Sequence, residues 1–553
     1  MKNIFPWKRF WCTRGGSMSL DDNGFLIDPE SEDAQYYNDG VVSFEKIQKT
    51  PCLILLGEPG SGKTTSLNSE KETLSYKIKN SSDVLYYKNF NEYGDENRLI
   101  DDIFKSPEMI NWLNGQHHLY LFLDSLDECL LEIPKSAIIL SNQFQKIQEH
   151  KNRISLRITC RTGDWPESLT NTLTYIWDEQ NVGIYELTPL LKKDVYEAAK
   201  ISKLNPDSFI KNIIDNDLQS LASNPITLNF LLEEFKSGNQ FSNSKAKIYH
   251  RGCEYLCTEN NQERMEAKQS GKLSPQRRLA LASRIAALMT FCNYSSILTK
   301  SDPDNNHHRY LTLSMLQEGE ETTGEHTFNF TENDLRETIT QTALFSGRGP
   351  NRFGFMHQSY TEFLAARYIS LHKLSIQQIK SLIQISNDPE QMIIPQMKQI
   401  ASWLNSMVPE IIEEIITTDP QSLLSGDIEN RFRKDLVDSL LKQFEQMKIA
   451  DSDWGLSSQY YKLKHTELTV QLKPYIQDKA KHFLVRRVAI DIAGACELKE
   501  LQELLMDVTF DKSENYHIRD KAIHAVSKIA DKHSLLKLKP LSRSYWRKKY
   551  CGV

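Results

Sequence analysis

A chain of 553 residues with 39% apolar and 25% charged residues has an ordinary globular composition, too long for one hydrophobic core and suited to roughly three or four domains. The net charge of −6 offers no field to draw nucleic acid as the main ligand. Nine scattered cysteines without a C-x-x-C pair argue against a disulfide framework or a zinc site and point to a reducing compartment, the cytoplasm.

The opening residues, MKNIFPWKRFWCTRGG, are basic but hold no apolar signal segment, and no later stretch approaches the roughly 18 apolar residues that span a bilayer, so no membrane partner is expected. Phe5, Trp7, Phe10 and Trp11 interleave with Lys8 and Arg9. Docking of these rings onto the first domain is favoured over a membrane or nucleic-acid contact, because exposed aromatic clusters are rare on soluble proteins. Residues 1–45 read as an N-terminal extension, polar and turn-rich over 14–40.

Strand signals follow in order: CLILL, SDVLYYKNF, LYLFLD, RISLRITC and GIYELTPL, with helical stretches such as PKSAIILSNQFQKIQEH between them. Strands alternating with helices predict a parallel, doubly wound sheet over 46–190, its ligand at the carboxyl ends of the strands. From 191 to 268 apolar residues recur at helical spacing, as in LQSLASNPITLNFLLEEF, and Cys253 and Cys257 read as core thiols. Over 269–370 helices are followed by ALFSGRGPNRFGFMH, two β-like runs around a turn, and then the helical SYTEFLAARYI, which suggests a winged-helix domain. Residues 371–553 read as all helix. There Val485-Arg486-x-x-Ala489-Ile490 recurs as Ile518-Arg519-x-x-Ala522-Ile523, 33 residues on, a period typical of HEAT-like helix-pair repeats, and RFRKDLVDSLL from Arg431 reads as an earlier copy.

GEPGSGKTT fills every position of the phosphate-binding loop G-x-x-x-x-G-K-[ST]. Gly57, Gly60 and Gly62 would let backbone N–H groups of the loop, which also holds Glu58, Pro59 and Ser61, close around a β-phosphate, Lys63 would bridge β- and γ-phosphates, and Thr64, followed by Thr65, would offer a hydroxyl to Mg²⁺. The apolar run LYLFL then ends in Asp124, placed to hold that Mg²⁺. Many such enzymes put a catalytic Glu next; here Ser125 follows, so Asp127 and Glu128 become the candidates to orient an attacking water. The next strand ends in Arg161. Alone it would read as a solvated or salt-bridged residue; one strand after the acids, it is a candidate to stabilise γ-phosphate charge.

These residues together carry a resemblance. A P-loop, a strand ending Asp124-Ser125-Leu126-Asp127-Glu128 and a strand ending Thr159-Cys160-Arg161 resemble the NACHT group of signal-transducing (STAND) P-loop NTPases. SNPITLNFLL resembles the helical-domain segment whose proline, here Pro225, packs near adenine. FGFMHQSYTEFLAARYI resembles the winged-helix segment whose histidine, here His357, reaches the phosphates of ADP. Read by themselves, Pro225 is a helix-start proline and His357 a hairpin-end histidine. The resemblance implies a slow ATPase that binds ATP or ADP with Mg²⁺, is held closed with ADP, senses a trigger ligand such as a phage protein and self-oligomerises, similar to bacterial anti-phage defence proteins. With about 45 residues before the core, the effector is expected to be a separate protein or the C-terminal helices, and the ending SYWRKKYCGV shows no polar capping helix. Two rival readings are a winged-helix transcription regulator and a ring-forming remodelling ATPase. The first is disfavoured by the low basic character of QSYTEFLAARYISLH, and nucleic acid is not expected as a partner.

Overall fold

The computed structural model of the chain describes residues 5–530, less positions 6, 17, 21–23, 32–37, 39, 237, 239–240, 242–243, 259–270, 300–309, 317–318, 325, 349–350, 387, 390, 425, 427 and 447–456. The chain divides into two compact units, Met1–Leu371 and His372–Val553. The C-terminal SYWRKKYCGV lies outside the described residues.

In the first unit, β1 (Phe10–Thr13), β2 (Val41–Ser43), β3 (Cys52–Gly57), β4 (Val84–Asn89), β5 (Leu119–Asp124), β6 (Ile154–Arg161) and β7 (Val182–Leu187) form one sheet in the order β2-β1-β7-β3-β6-β5-β4. Along β3, Cys52, Ile54 and Leu56 enter one apolar cluster, while Leu53 and Leu55 enter another on the opposite face. Both faces are covered, which is why the run is continuously apolar rather than alternating. Helices Glu96–Phe104, Pro107–Asn114, Ser136–Lys146 and Glu167–Trp177 close the first face through Leu99, Trp112, Phe144 and Trp177. Inside this sheet one cation is fully committed to backbone: buried Arg157 donates to the carbonyls of Gln48, Thr50, Pro51 and Leu156, pinning the turn that feeds β3.

The parallel sheet expected over 46–190 is present, and it is extended by two strands from the residues before it. Strands β7, β3, β6, β5 and β4 run parallel, but β1 is antiparallel to both β7 and β2. The residues read as an N-terminal extension thus supply two strands of the same sheet. The physical reason is the edge of β7, whose N–H and C=O row needs partners; β1 satisfies it with Trp11 opposite Leu187. Trp11, 1% exposed, then fills the second face beside Phe44, Leu53, Leu67 and Phe122, and Phe10 packs with Leu26, Val41 and Leu191. Phe5 stacks on Trp7 at 4.8 Å, and the Trp7 indole donates to the Asp194 carbonyl at 3.1 Å.

After the sheet come helices including Pro225–Lys236 and Lys245–Cys257, the latter burying Cys253 and Cys257, whose thiols burial pushes up. Helix Pro275–Phe291 leads to β8 (Ser296–Leu298), β9 (Tyr310–Thr312), β10 (Glu320–Thr323) and β11 (His326–Asn329). Helix Glu332–Gln341 then precedes the antiparallel hairpin of β12 (Phe345–Gly347) and β13 (Arg352–Phe355), which continues a sheet ordered β12-β13-β8-β9, and helix Gln358–Leu371 ends the unit. Arg278, 1% exposed, staples this region by donating to Glu337 and to the Cys257 carbonyl.

Every named element of the second unit is a helix. The residues 33 apart make matching contacts. Arg486 donates to the Ile476 carbonyl at 3.2 Å and Arg519 to that of Thr509 at 3.1 Å, while His482 and Asn515 each accept from the backbone N–H two residues on, at the heads of helices Phe483–Ala495 and Tyr516–Ile529.

Because Trp11 bridges the added strand and the parallel core, Trp11→Ala is expected to cost about 3–5 kcal/mol and lower the thermal midpoint of the first unit by on the order of 10 °C. Thermal denaturation followed by circular dichroism tests this; an unchanged midpoint would contradict the packing role.

Candidate functional site

The loop after β3 turns through two glycines with positive φ, Gly60 at 68° and Gly62 at 96°, and Gly62 caps helix Lys63–Ile78. Backbone of that handedness is open to glycine and strains other residues. The loop has two faces. Pro59, Gly60, Gly62, Lys63, Thr64 and Thr65 line a cleft of about 680 Å³, within the range of ligand pockets. Gly57, Glu58 and Ser61 instead line a small cavity of about 70 Å³ on the other side. Lys63 Nζ donates to the Gly57 carbonyl and, at 3.1 Å, to that of Glu58. Burial pulls its pKa down, against the pull of nearby Asp127.

Asp124 is fully buried at the end of β5. Its Oδ1 accepts from the Thr159 hydroxyl and, at 3.5 Å, from that of Thr64, and its Oδ2 accepts from Tyr87 OH at 3.2 Å. Thr159 Oγ1 in turn accepts the Ser125 N–H at 2.8 Å. Ser125 sits in the left-handed region, φ 62° and ψ 49°, a conformation that costs a non-glycine residue about 1–2 kcal/mol. That strain turns the chain sharply from strand to helix Leu126–Glu132, whose first turn carries Asp127 and Glu128.

Asp127 and Glu128, the two candidates to orient an attacking water, both line the cleft. Asp127 Oδ2 lies 2.9 Å from Arg161 Nε, and its Oδ1 accepts the Arg161 backbone N–H at 3.1 Å; both side chains are about nine-tenths buried or more. A carboxylate held twice by one arginine is geared to aim that arginine, so the Arg161 guanidinium is salt-bridged and also lines the cleft. Glu128 lines the same cleft from the next position on the helix.

Pro225 heads helix Pro225–Lys236, as a helix-start proline, and lines the cleft. Its neighbour Ile226 presses on the loop: a Cβ built on Gly60 would stand 1.9 Å from Ile226 Cδ1. His357 is not among the residues lining the cleft. Its Nδ1 is engaged by the Ser359 hydroxyl at 2.8 Å and N–H at 3.2 Å, Ser359 reaches Ser220 at 3.0 Å, and burial pulls the imidazole down to about 4. Through Nδ1 the ring caps the helix that follows it. Glu58 likewise turns from the cleft. Burial, reinforced by Glu186, pushes its carboxyl up to about 8, while Glu186, beside Arg14 and Arg348, is raised by burial to about 7.

The donors on Asp124 from Tyr87 and Thr159 had no signal beyond membership of neighbouring strands. The chemistry assembled is specific all the same: backbone and a lysine for an anion, and hydroxyl and carboxylate oxygens, a hard donor set, for a magnesium ion. Thr64 and Asp124 are the residues that would hold it.

No family model and no curated protein matches the chain. Among solved structures it is similar to Cdc6p from Pyrobaculum aerophilum, with 14% identity over 58% of this chain and 88% of that one and a TM-score of 0.24, a likeness that bears no weight for fold or site. The chain's own geometry defines the class: an α/β P-loop core joined to a helical region.

Two outcomes follow from the loop's packing. Gly60→Ala should destabilise by about 2–4 kcal/mol through positive-φ strain and overpacking, and adding Ile226→Ala should recover only the overpacking part, read as paired thermal midpoints. Glu58 ionises near 4.5 when unfolded and near 8 when folded. Between those values the unfolded chain gives up a proton that the folded chain keeps, so this group's stabilisation fades as pH rises. The midpoint of Glu58→Gln relative to wild type should accordingly rise from pH 5 to pH 8, and a pH-independent difference would contradict the burial of this carboxyl.

Proposed function

We propose that this protein is a nucleotide-switched signalling NTPase of the NACHT type, binding ATP or ADP with Mg²⁺, sensing a trigger ligand, self-associating when released, and serving in bacterial anti-phage defence. The observation that carries the nucleotide reading is the approach of Thr64 to Asp124 at 3.5 Å, directly behind a cleft floored by the P-loop. A hydroxyl and a buried carboxylate converge there from a helix start and a strand end, where a phosphate-bound cation would lie. When bound, Mg²⁺ neutralises phosphate charge.

The chain's own groups divide the remaining work. The amides from Gly60 to Thr65 and the head of helix Lys63–Ile78 bind the phosphates. Lys63 leaves the Gly57 and Glu58 carbonyls for the β- and γ-oxygens, and nearby Asp127 opposes the downward pull of burial on its ammonium. Glu128 orients the attacking water, while Asp127 holds Arg161 toward the γ-phosphate. Pro225 and Ile226 bring the helical region onto the loop, a contact through which the nucleotide state could reach the rest of the unit.

The winged-helix reading of the hairpin region belongs to this proposal, as does the repeat reading of the second unit. A transcription role is disfavoured because helix Gln358–Leu371 buries Tyr360, Thr361, Phe363, Leu364, Ala365, Ala366 and Ile369, leaving little surface to enter a DNA groove.

The test is the nucleotide released on denaturing the purified protein. Wild type should release ADP or ATP, Lys63→Ala should release none and fail to assemble with trigger present, and Glu128→Gln should retain nucleotide while hydrolysing it at least about tenfold more slowly. Nucleotide-free wild type, or equal turnover in Glu128→Gln, would overturn the reading.

A further inference from the structure

The basic residue Arg9, just before β1, is drawn into the back of the P-loop. Its Nη1 donates to the Ser61 carbonyl at 2.7 Å and its Nη2 to the Thr188 carbonyl at 2.6 Å. Both distances belong to charge-assisted hydrogen bonds. The Thr188 end is itself anchored, since its N–H and hydroxyl both donate to the Phe10 carbonyl, at 3.0 and 3.1 Å. Nη1 also lies 3.1 Å from where a Cβ on Gly62 would stand, so the guanidinium packs against the glycine that heads the P-loop helix.

A trans peptide is planar, with its C=O and N–H pointing to opposite sides. A guanidinium that holds the Ser61 carbonyl on the rear face therefore turns the Gly62 N–H toward the other face, where Gly60, Gly62, Lys63 and Thr64 line the cleft. Glycine flanks this peptide on one side, and Gly62 there occupies positive φ, a region in which glycine is unusually mobile. The fork of an arginine spans two carbonyls at once, which a lysine ammonium, a single point donor on a flexible stem, does less rigidly.

We propose that Arg9 is a positioning residue of the nucleotide site, clamped between the Ser61 and Thr188 carbonyls so that the Ser61–Gly62 peptide presents the Gly62 N–H to a bound diphosphate. This rests on the nucleotide reading above. It makes the β1 segment a working part of the P-loop, joined to it across 52 residues of sequence. The adjacent Lys8, exposed and paired with Glu30 and Glu45, has no such role.

The experiment measures the Kd of a fluorescent ADP analogue, and its displacement by inorganic pyrophosphate, for the full chain and for Arg9→Met, Arg9→Lys and Lys8→Met, with circular dichroism to verify folding. Arg9→Met should weaken ADP and pyrophosphate alike by about tenfold, the loss of one charge-assisted hydrogen bond. Arg9→Lys should fall between it and wild type, and Lys8→Met should match wild type. If Arg9→Met does not fold, Arg9→Lys carries the same comparison. ADP binding within twofold of wild type in the folded variant overturns the role, as does weakened ADP with pyrophosphate unchanged, which would place the loss at the nucleoside end. A wild-type protein that binds no ADP overturns the nucleotide reading and this role with it, whereas undiminished binding in the Arg9 variants overturns the role alone.

Discussion

A carboxylate with no exposure to solvent must find its hydrogen bonds inside the protein, and Asp124 finds them on three other segments. Thr159 reaches it from β6, Tyr87 from β4 and Thr64 from the head of the P-loop helix. Satisfying this one group fixes the relative height of three strands and a helix. It also brings the P-loop over the carboxyl ends of β5 and β6, where the Asp127–Arg161 pair and Glu128 stand. The left-handed Ser125, tied by its N–H to Thr159, is the local strain that this arrangement tolerates.

A second set of constraints acts on the loop from outside the parallel strands. Ile226 presses on Gly60 from the helical region, and Arg9 holds the Ser61 carbonyl from the β1 side. Behind the loop, the raised carboxyls of Glu58 and Glu186 meet Thr162 and the Gly347 end of the β12–β13 hairpin; a Cβ on Gly347 would come within 2.4 Å of Thr162 Cγ2. The P-loop is thus gripped by the N-terminal strand, the helical region and the hairpin, and a rearrangement of any of them would be felt at the phosphate site.

Much of the site was legible because its chemistry is local in sequence. The P-loop spacing, the acid that follows LYLFL and the arginine that follows RISLRITC each lie within one strand-turn-helix unit, where periodicity and turn residues give position directly. What was not legible was pairing. Asp127 and Glu128 differ by one position on a helix and both line the cleft, and only the placement of Arg161 on the neighbouring strand shows that Asp127 is paired with it at 2.9 Å. For His357, likewise, the sequence did not show that Nδ1 is engaged by Ser359 or that Ser359 in turn meets Ser220.

The sequence by itself determined the elements and the kinds of chemistry: apolar runs buried on both faces make parallel strands, and glycines before a lysine and threonine make an anion cradle. Only the tertiary structure decided that β1 and β2 join the sheet antiparallel, that Tyr87 and Thr159 satisfy Asp124, and that Arg9 reaches the P-loop. The reason is physical. Periodicity records which face of an element is apolar, whereas edge-strand pairing and the satisfaction of a buried charge depend on which distant segment arrives beside it, and a one-dimensional pattern does not carry that distance.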